Sequence, residues 1–251
     1  MPTALGLALT WYGHSCVKLE AQDGTTVLFD PWFGNPRSPV DASSIERCDV
    51  LLVSHGHHDH LGSMPGGVAD ADAVRIARRT RPSWPCIHEL SLWLGRLPEL
   101  DAEIIGMNKG GTVETRGVTV TMVHADHSAG DWGEPTGSPL HLGEPVGFVV
   151  DVPGGPRVYF AGDTDVFGDM RLIGELFRPE VAILPIGGHF TMDPRTAAKA
   201  TELIGPRIVV PIHYGTFPVL AGSPAALRAE LQKLGLGSVA VLSPEPGERV
   251  S

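Results

Sequence analysis

One short run constrains this chain more than any other feature. It is Ser54-His55-Gly56-His57-His58-Asp59-His60, set directly after the apolar, β-branched stretch Asp49-Val50-Leu51-Leu52-Val53. The apolar stretch predicts a strand buried on both faces, as in a sheet covered by helices. The polar run then falls in a loop at that strand's carboxyl end, the edge where open α/β sheets bind ligands. Imidazole and carboxylate groups crowded there resist burial, since each polar group taken from water without a partner costs roughly 2–7 kcal/mol. A metal ion is the usual partner, because imidazole nitrogen and carboxylate oxygen both ligate divalent cations.

Later strands end in the same way. Residues 118–123 lead into His124-Ala125-Asp126-His127-Ser128, and residues 157–161 into Gly162-Asp163-Thr164-Asp165. Residues 181–186 lead into Gly187-Gly188-His189, and residues 207–212 into His213-Tyr214. Upstream, strands are expected at 7–12, 16–20 and 25–30, punctuated by Gly13 and the hairpin signal Asp23-Gly24. A short helix is expected at 64–69 and another at 88–97, where Leu90, Trp93, Leu94 and Leu97 keep helical spacing up to Pro98. Residues 113–123 read as a hairpin broken at Arg116-Gly117, and 146–152 with 157–161 as a second. Helices follow at 170–177, from Asp193-Pro194 to about 204, and from Ser223-Pro224 to 234, with a last strand at 239–242. Residues 129–145 are rich in Gly and Pro without periodicity and are expected to form a lid or substrate loop. No fixed-period repeat and no linker divides the chain, so residues 1–251 are expected to form a single domain.

Bulk properties narrow the partners. Net charge is −10 and no Lys/Arg run exists, so nucleic acid is not an expected partner. The three cysteines, Cys16, Cys48 and Cys86, cannot complete a disulfide framework and are expected to be buried and reduced. No signal peptide and no apolar run of the roughly 20 residues needed for a membrane span is read, so a cytoplasmic setting is expected. Self-association stays open.

The His/Asp run, with the later His, Asp and His in order, resembles the signature of the metallo-β-lactamase-fold superfamily across residues 11–217. The flanking motifs Trp11-Tyr12-Gly13-His14-Ser15, Asp30-Pro31-Trp32, Ala161-Gly162-Asp163-Thr164 and Pro211-Ile212-His213-Tyr214-Gly215-Thr216 look like a subgroup of metal-dependent hydrolases. That subgroup is related to the ascorbate-phosphate lactonases and a phospholipase D-like branch. The resemblance implies an α/β fold, a four-layer αββα sandwich, which strand alternation alone does not give. It implies two divalent metal ions per chain, zinc foremost, with manganese, iron and nickel also accepted by such ligands. His55, His57 and His127 are expected at one metal, Asp59, His60 and His213 at the other, and Asp163 between them. His127 is preferred to His124 because Ala125-Asp126-His127-Ser128 matches the family segment; His124 is expected just behind the ligands. Asp165, the rival to Asp163, is expected to be a turn or cap carboxylate.

The implied activity is attack by a metal-bridging hydroxide on an ester, lactone or phosphodiester of a small molecule, an anionic group being drawn to the positive centre. Asp59 is the expected proton acceptor. His14 and His189 are expected either to touch substrate as ligands or oxyanion donors, or to be hydrogen-bonded behind the metals. His58 is expected to face solvent or lie behind the ligands, and His88 and His141 to be ordinary surface or core residues. A thioester hydrolase of the glyoxalase type is the alternative within the fold. A non-catalytic binding protein is the alternative outside it, though such a protein would be expected to lack ligands that this chain retains.

Overall fold

The computed structural model describes residues 5–62, 67–130 and 140–251. In chain order it contains β1 (Ala8–Trp11), β2 (Val17–Glu20), β3 (Thr26–Phe29), β4 (Val50–Leu52), α1 (His58–Leu61), α2 (Asp72–Thr80), β5 (Ser83–Ile87), α3 (His88–Leu94) and β6 (Glu103–Met107). There follow β7 (Thr112–Thr115), β8 (Val118–His124), β9 (Val146–Asp151), β10 (Arg157–Phe160), α4 (Met170–Phe177), β11 (Val181–Pro185), α5 (Pro194–Ile204), β12 (Ile208–Ile212), α6 (Pro224–Lys233), β13 (Ala240–Val241) and β14 (Arg249–Val250). They build two 7-stranded sheets, ordered β14-β1-β2-β3-β4-β5-β6 and β13-β12-β11-β10-β9-β8-β7.

Strand alternation explains the layers. On β10, Val158 and Phe160 point into the space between the sheets, while Tyr159 points to the helices outside. Phe160 stacks on Phe29 of the facing sheet, with ring centroids 4.5 Å apart. On β11, Val181 and Ile183 face inward, whereas Ala182 and Leu184 pack with Ile173 of α4, Ala197 of α5 and Leu227 of α6. Val74 and Ile76 of α2 and Leu90 of α3 join the core on the side of the first sheet. Helices therefore cover both outer faces, and the expected αββα sandwich is the architecture found.

Helix α5 starts as its sequence predicts. Asp193 accepts a hydrogen bond from the Thr196 N–H at 2.8 Å, and Thr196 Oγ1 accepts one from the Asp193 N–H at 3.0 Å. Pro194 occupies the first turn, where a missing N–H matters least. Asp193→Ala is expected to remove about 1 kcal/mol of stability and to lower the melting temperature by a few degrees in a calorimetric scan.

Several elements differ from expectation. Helix α2 and strands β5, β6 and β14 were not among those expected. Helix α2 buries Ala73, Val74, Ile76 and Ala77 and turns Arg75 and Arg79 to solvent, an amphipathic spacing that the sequence carries but that was not read as a helix. Pro85 interrupts the pattern of β5, a strand that nevertheless pairs in parallel with β6. The helix at 88–97 stops at Leu94, where the Gly95 N–H bonds to Ser91 O. Of the helix expected at 64–69, residues 64–66 lie outside the described residues, and Val68–Asp70 form one 3₁₀ turn. Most of the expected lid, residues 131–139, also lies outside the described residues. The cysteines are buried and unpaired, as anticipated.

Candidate metal centre

The sheets gather the polar residues at one edge. Strands β3, β4, β10, β11 and β12 each end in a loop carrying His or Asp; β8, antiparallel to β9 like β10, delivers His127 to the same edge. After β4 the chain turns through Ser54-His55-Gly56, and His57 caps the single turn of α1, which carries Asp59 and His60. Gly62 ends that turn at φ 77°, a left-handed conformation open to glycine, and its N–H bonds to His58 O. His14, Asp30 and His213 also sit in the left-handed region, at φ 48°, 41° and 55°. Non-glycine residues hold such positions only under constraint.

Three overlapping groups of ligating atoms result, each with all its atoms within 4.8 Å of one another: His55, His57 and His127; His14, Asp59, His60 and His213; and His55, His60 and Asp163. Asp163 links them. Its Oδ2 lies 3.0 Å from His213 Nε2, 3.2 Å from His60 Nε2 and 3.6 Å from His127 Nε2. Yet His60 Nε2, both ring nitrogens of His213 and Asp163 Oδ1 are buried without hydrogen-bond partners. Buried polar atoms are normally satisfied. Unsatisfied nitrogens and a carboxylate oxygen converging in this way fit a divalent cation, which needs donors and no protons.

Protonation agrees with that fit. Burial, with the neighbouring charge of His60, holds His55 well below its ordinary range and His57 down at about 4. Burial also lowers His127. Burial alone would raise Asp163, but His213 and His60 outweigh it and keep its carboxyl well below the usual range. Asp59 is held low in the same way, burial being outweighed by the His14 hydrogen bond and the charge of His60. Neutral imidazole and ionised carboxylate are the ligating forms. His60 is the exception: burial disfavours its cation, but Asp163 and Asp30 on either side raise it, so a metal must displace a proton there.

His14 is fully buried and hydrogen-bonded on both ring nitrogens, and it falls in one ligating group with Asp59, His60 and His213. Burial and the charge of His213 push it down to about 4. The neutral ring then donates from Nε2 to Asp59 Oδ2 at 3.0 Å and accepts at Nδ1 from the Thr216 hydroxyl at 3.0 Å. Its carbonyl accepts from the His213 N–H at 2.9 Å and from Trp11 Nε1 at 2.9 Å.

Asp30 was missed by sequence reasoning as a functional residue, although its motif was noted. It is fully buried, with Oδ2 at 2.6 Å from His60 Nδ1. Its oxygens also accept from the Ser54 N–H and hydroxyl, each at 2.7 Å. A carboxylate behind a ligating imidazole fixes the ring and raises its basicity. Asp30→Asn is expected to weaken metal binding about 10–100-fold without unfolding the chain, measured by competition against a chromophoric chelator.

Other expected residues fall elsewhere. His189 is exposed, outside the ligating groups, with its ring edge-on to Phe190 at 4.4 Å. His124 is not behind the ligands: it ends β8 exposed, 4.8 Å from the Phe167 ring and 3.4 Å from Lys109 Nζ. Asp165 is an exposed turn carboxylate bonded to the Val166 N–H. His58 lines the cavity over the site, and His88 and His141 are exposed. That cavity holds about 420 Å³, with His57, Asp59, His127, Asp163 and His213 in its wall and Phe190 and Phe217 also lining it.

An αββα sandwich with imidazole groups gathered around a buried carboxylate defines a metallo-hydrolase of the metallo-β-lactamase fold. A family model described as a beta-lactamase superfamily domain matches residues 8–213, and the chain belongs to that superfamily. It is 45% identical to a UPF0173 metal-dependent hydrolase of Archaeoglobus fulgidus, over 96% of this chain and 97% of the relative. It is 43% identical to another of Koribacter versatilis, over 89% of this chain and 91% of the relative. A metallo hydrolase from Ignicoccus hospitalis superposes with a TM-score of 0.81 at 35% identity, covering 97% of both chains. The chain is a metal-dependent hydrolase.

Proposed function

We propose that the chain binds two divalent metals, zinc foremost, and hydrolyses an ester, lactone or phosphodiester of a small molecule. The observation that carries this reading is the approach of Asp163 Oδ2 to a residue of each expected set, 3.6 Å from His127 Nε2 and 3.0 Å from His213 Nε2. His55, His57 and His127 would hold one metal, and Asp59, His60 and His213 the other, with Asp163 common to both. When bound, such metals supply Lewis acidity and lower the pKa of water toward ~7.

The protein's own groups orient and move the proton. His14, fixed by Thr216, holds Asp59 Oδ2, so the carboxylate stays ionised and aimed at the cavity it lines. Asp59 takes the proton of the attacking water and returns it to the leaving oxygen. His14 acts through Asp59 and touches no substrate. Buried, unpaired cysteines favour a reducing, cytoplasmic setting. No helix among the described residues is long and apolar enough to cross a membrane.

The test joins metal content to turnover. Protein purified without chelator is expected to carry about two metals per chain by elemental analysis. It should hydrolyse at least one member of a panel of lactones, esters, phosphodiesters, thioesters and β-lactams, with loss on chelation and recovery on metal return. Absence of metal, or turnover that survives metal stripping, overturns the reading; a thioester as the sole substrate favours the glyoxalase-type alternative.

A further inference from the structure

The walls around the metal-ligating residues differ in chemistry from the floor. Phe190 is 57% exposed and Phe217 37% exposed, and among the described residues they are the only exposed aromatic side chains. Both line the same 420 Å³ cavity as the ligands. Large exposed apolar groups gathered at one cavity mark a binding surface. Phe217 continues inward: its ring lies 6.0 Å from Trp32, and Trp32 lies 6.0 Å from His58 in the cavity wall. No lysine or arginine stands among the described residues that line the cavity. The carboxylates Asp59 and Asp163 do line it, and the chain as a whole carries a net charge of −10. Beyond the metals themselves, no described residue of that wall offers a permanent positive charge to a second anionic group on a substrate, remote from the reacting bond.

We propose that Phe190 and Phe217 form a subsite for an aromatic or bulky aliphatic group, and that the substrate is an uncharged carboxylic ester or lactone bearing such a group beside its carbonyl. The inference rests on the hydrolase reading and deepens it by naming the group carried beside the reacting bond. Water adds across the acyl–oxygen bond: the C–O bond breaks, a C–OH bond forms, and the alcohol oxygen leaves with a proton. No electron is transferred. The apolar group sits between the rings, which orients the carbonyl toward the floor of the cavity and displaces water from the mouth.

Hydroxamates test the subsite without turnover, since they bind divalent metals whatever they carry. Calorimetry on the metal-loaded full chain would compare acetohydroxamate, phenylacetohydroxamate and 4-carboxyphenylacetohydroxamate. The phenyl compound is expected to bind about tenfold or more tighter than the methyl compound. The added carboxylate is expected to remove most of that gain. Phe190→Ala and Phe217→Ala should each reduce the phenyl-to-methyl ratio several-fold, and the double variant should bring it near one. Both side chains are exposed, so folding should survive, with circular dichroism as the check. Equal binding of the phenyl and methyl compounds, a ratio unchanged in the variants, or a gain from the carboxylate overturns the subsite and leaves the hydrolase reading standing. Failure of all three to bind protein of known metal content overturns both.

Discussion

Replacing Asp163 with asparagine is expected to abolish turnover, with at least about a thousandfold loss in kcat/KM, equivalent to about 4 kcal/mol of transition-state stabilisation. The amide keeps the shape and removes the charge. In the wild type, Asp163 Oδ2 approaches His213 Nε2 at 3.0 Å and His60 Nε2 at 3.2 Å, and its Oδ1 is buried without a partner. An amide can offer neither the charge nor two equivalent oxygens, so metal content should fall from the two per chain proposed above to one or fewer. The fold should persist, because a buried carboxylate with an unsatisfied oxygen adds little to stability in the absence of metal. Asp165→Ala is the matched control. That side chain is exposed and bonds to the neighbouring Val166 N–H, so most activity and the wild-type metal content should remain. The reverse pattern, with Asp165 essential and Asp163 dispensable, would move the shared ligand.

Gly187→Ala is expected to be among the most disruptive small changes in the fold. A Cβ there would lie 2.1 Å from His213 O and 3.2 Å from its carbonyl carbon. That oxygen belongs to backbone and cannot swing aside as a side chain could. The two segments are tied nearby: the Ile186 N–H bonds to Ile212 O at 3.0 Å, the Gly222 N–H to Gly187 O at 3.2 Å, and the His213 N–H to His14 O at 2.9 Å. Relief therefore requires β11 and β12 to separate at their carboxyl ends, where His213 is held. A loss of about 3–5 kcal/mol is expected, a fall of roughly 10 °C in melting temperature. Melts of metal-stripped protein isolate the packing effect from loss of metal. A melting curve equal to wild type would show that the close approach relaxes freely.

Much of the candidate metal centre was legible because its signals are local. The run from His55 to His60 needs no tertiary knowledge, since a buried strand and a cluster of ligand types adjoin in sequence. The cap at Asp193, the break at Arg116-Gly117 and the bounds of α4 were equally readable, each fixed by turn or cap chemistry within a few residues. Elements lacking such punctuation were not. Strand β5 carries Pro85 where a strand pattern should continue, and β14 is two residues long, recognisable only through its pairing with β1. The partners of the ligands were hidden for a related reason. Asp30 meets His60 and Thr216 meets His14 across separations that follow no period, so only the assembled sheets reveal them. His189 shows the converse: a strand-end histidine that matched the rhythm of the others lies exposed beside Phe190.

The left-handed backbone beneath His14, Asp30, His189 and His213 bears on how such a protein can change over generations. Each such position costs about 1–3 kcal/mol for a residue other than glycine. Glycine at any of them would relax the chain while deleting a polar group gathered at this edge. Heat resistance and chemistry therefore pull in opposite directions at the same codons. A mutant library selected for thermal survival alone should drift toward variants that fold more securely and hydrolyse nothing, so directed evolution of this scaffold requires a metal-dependent readout in every round.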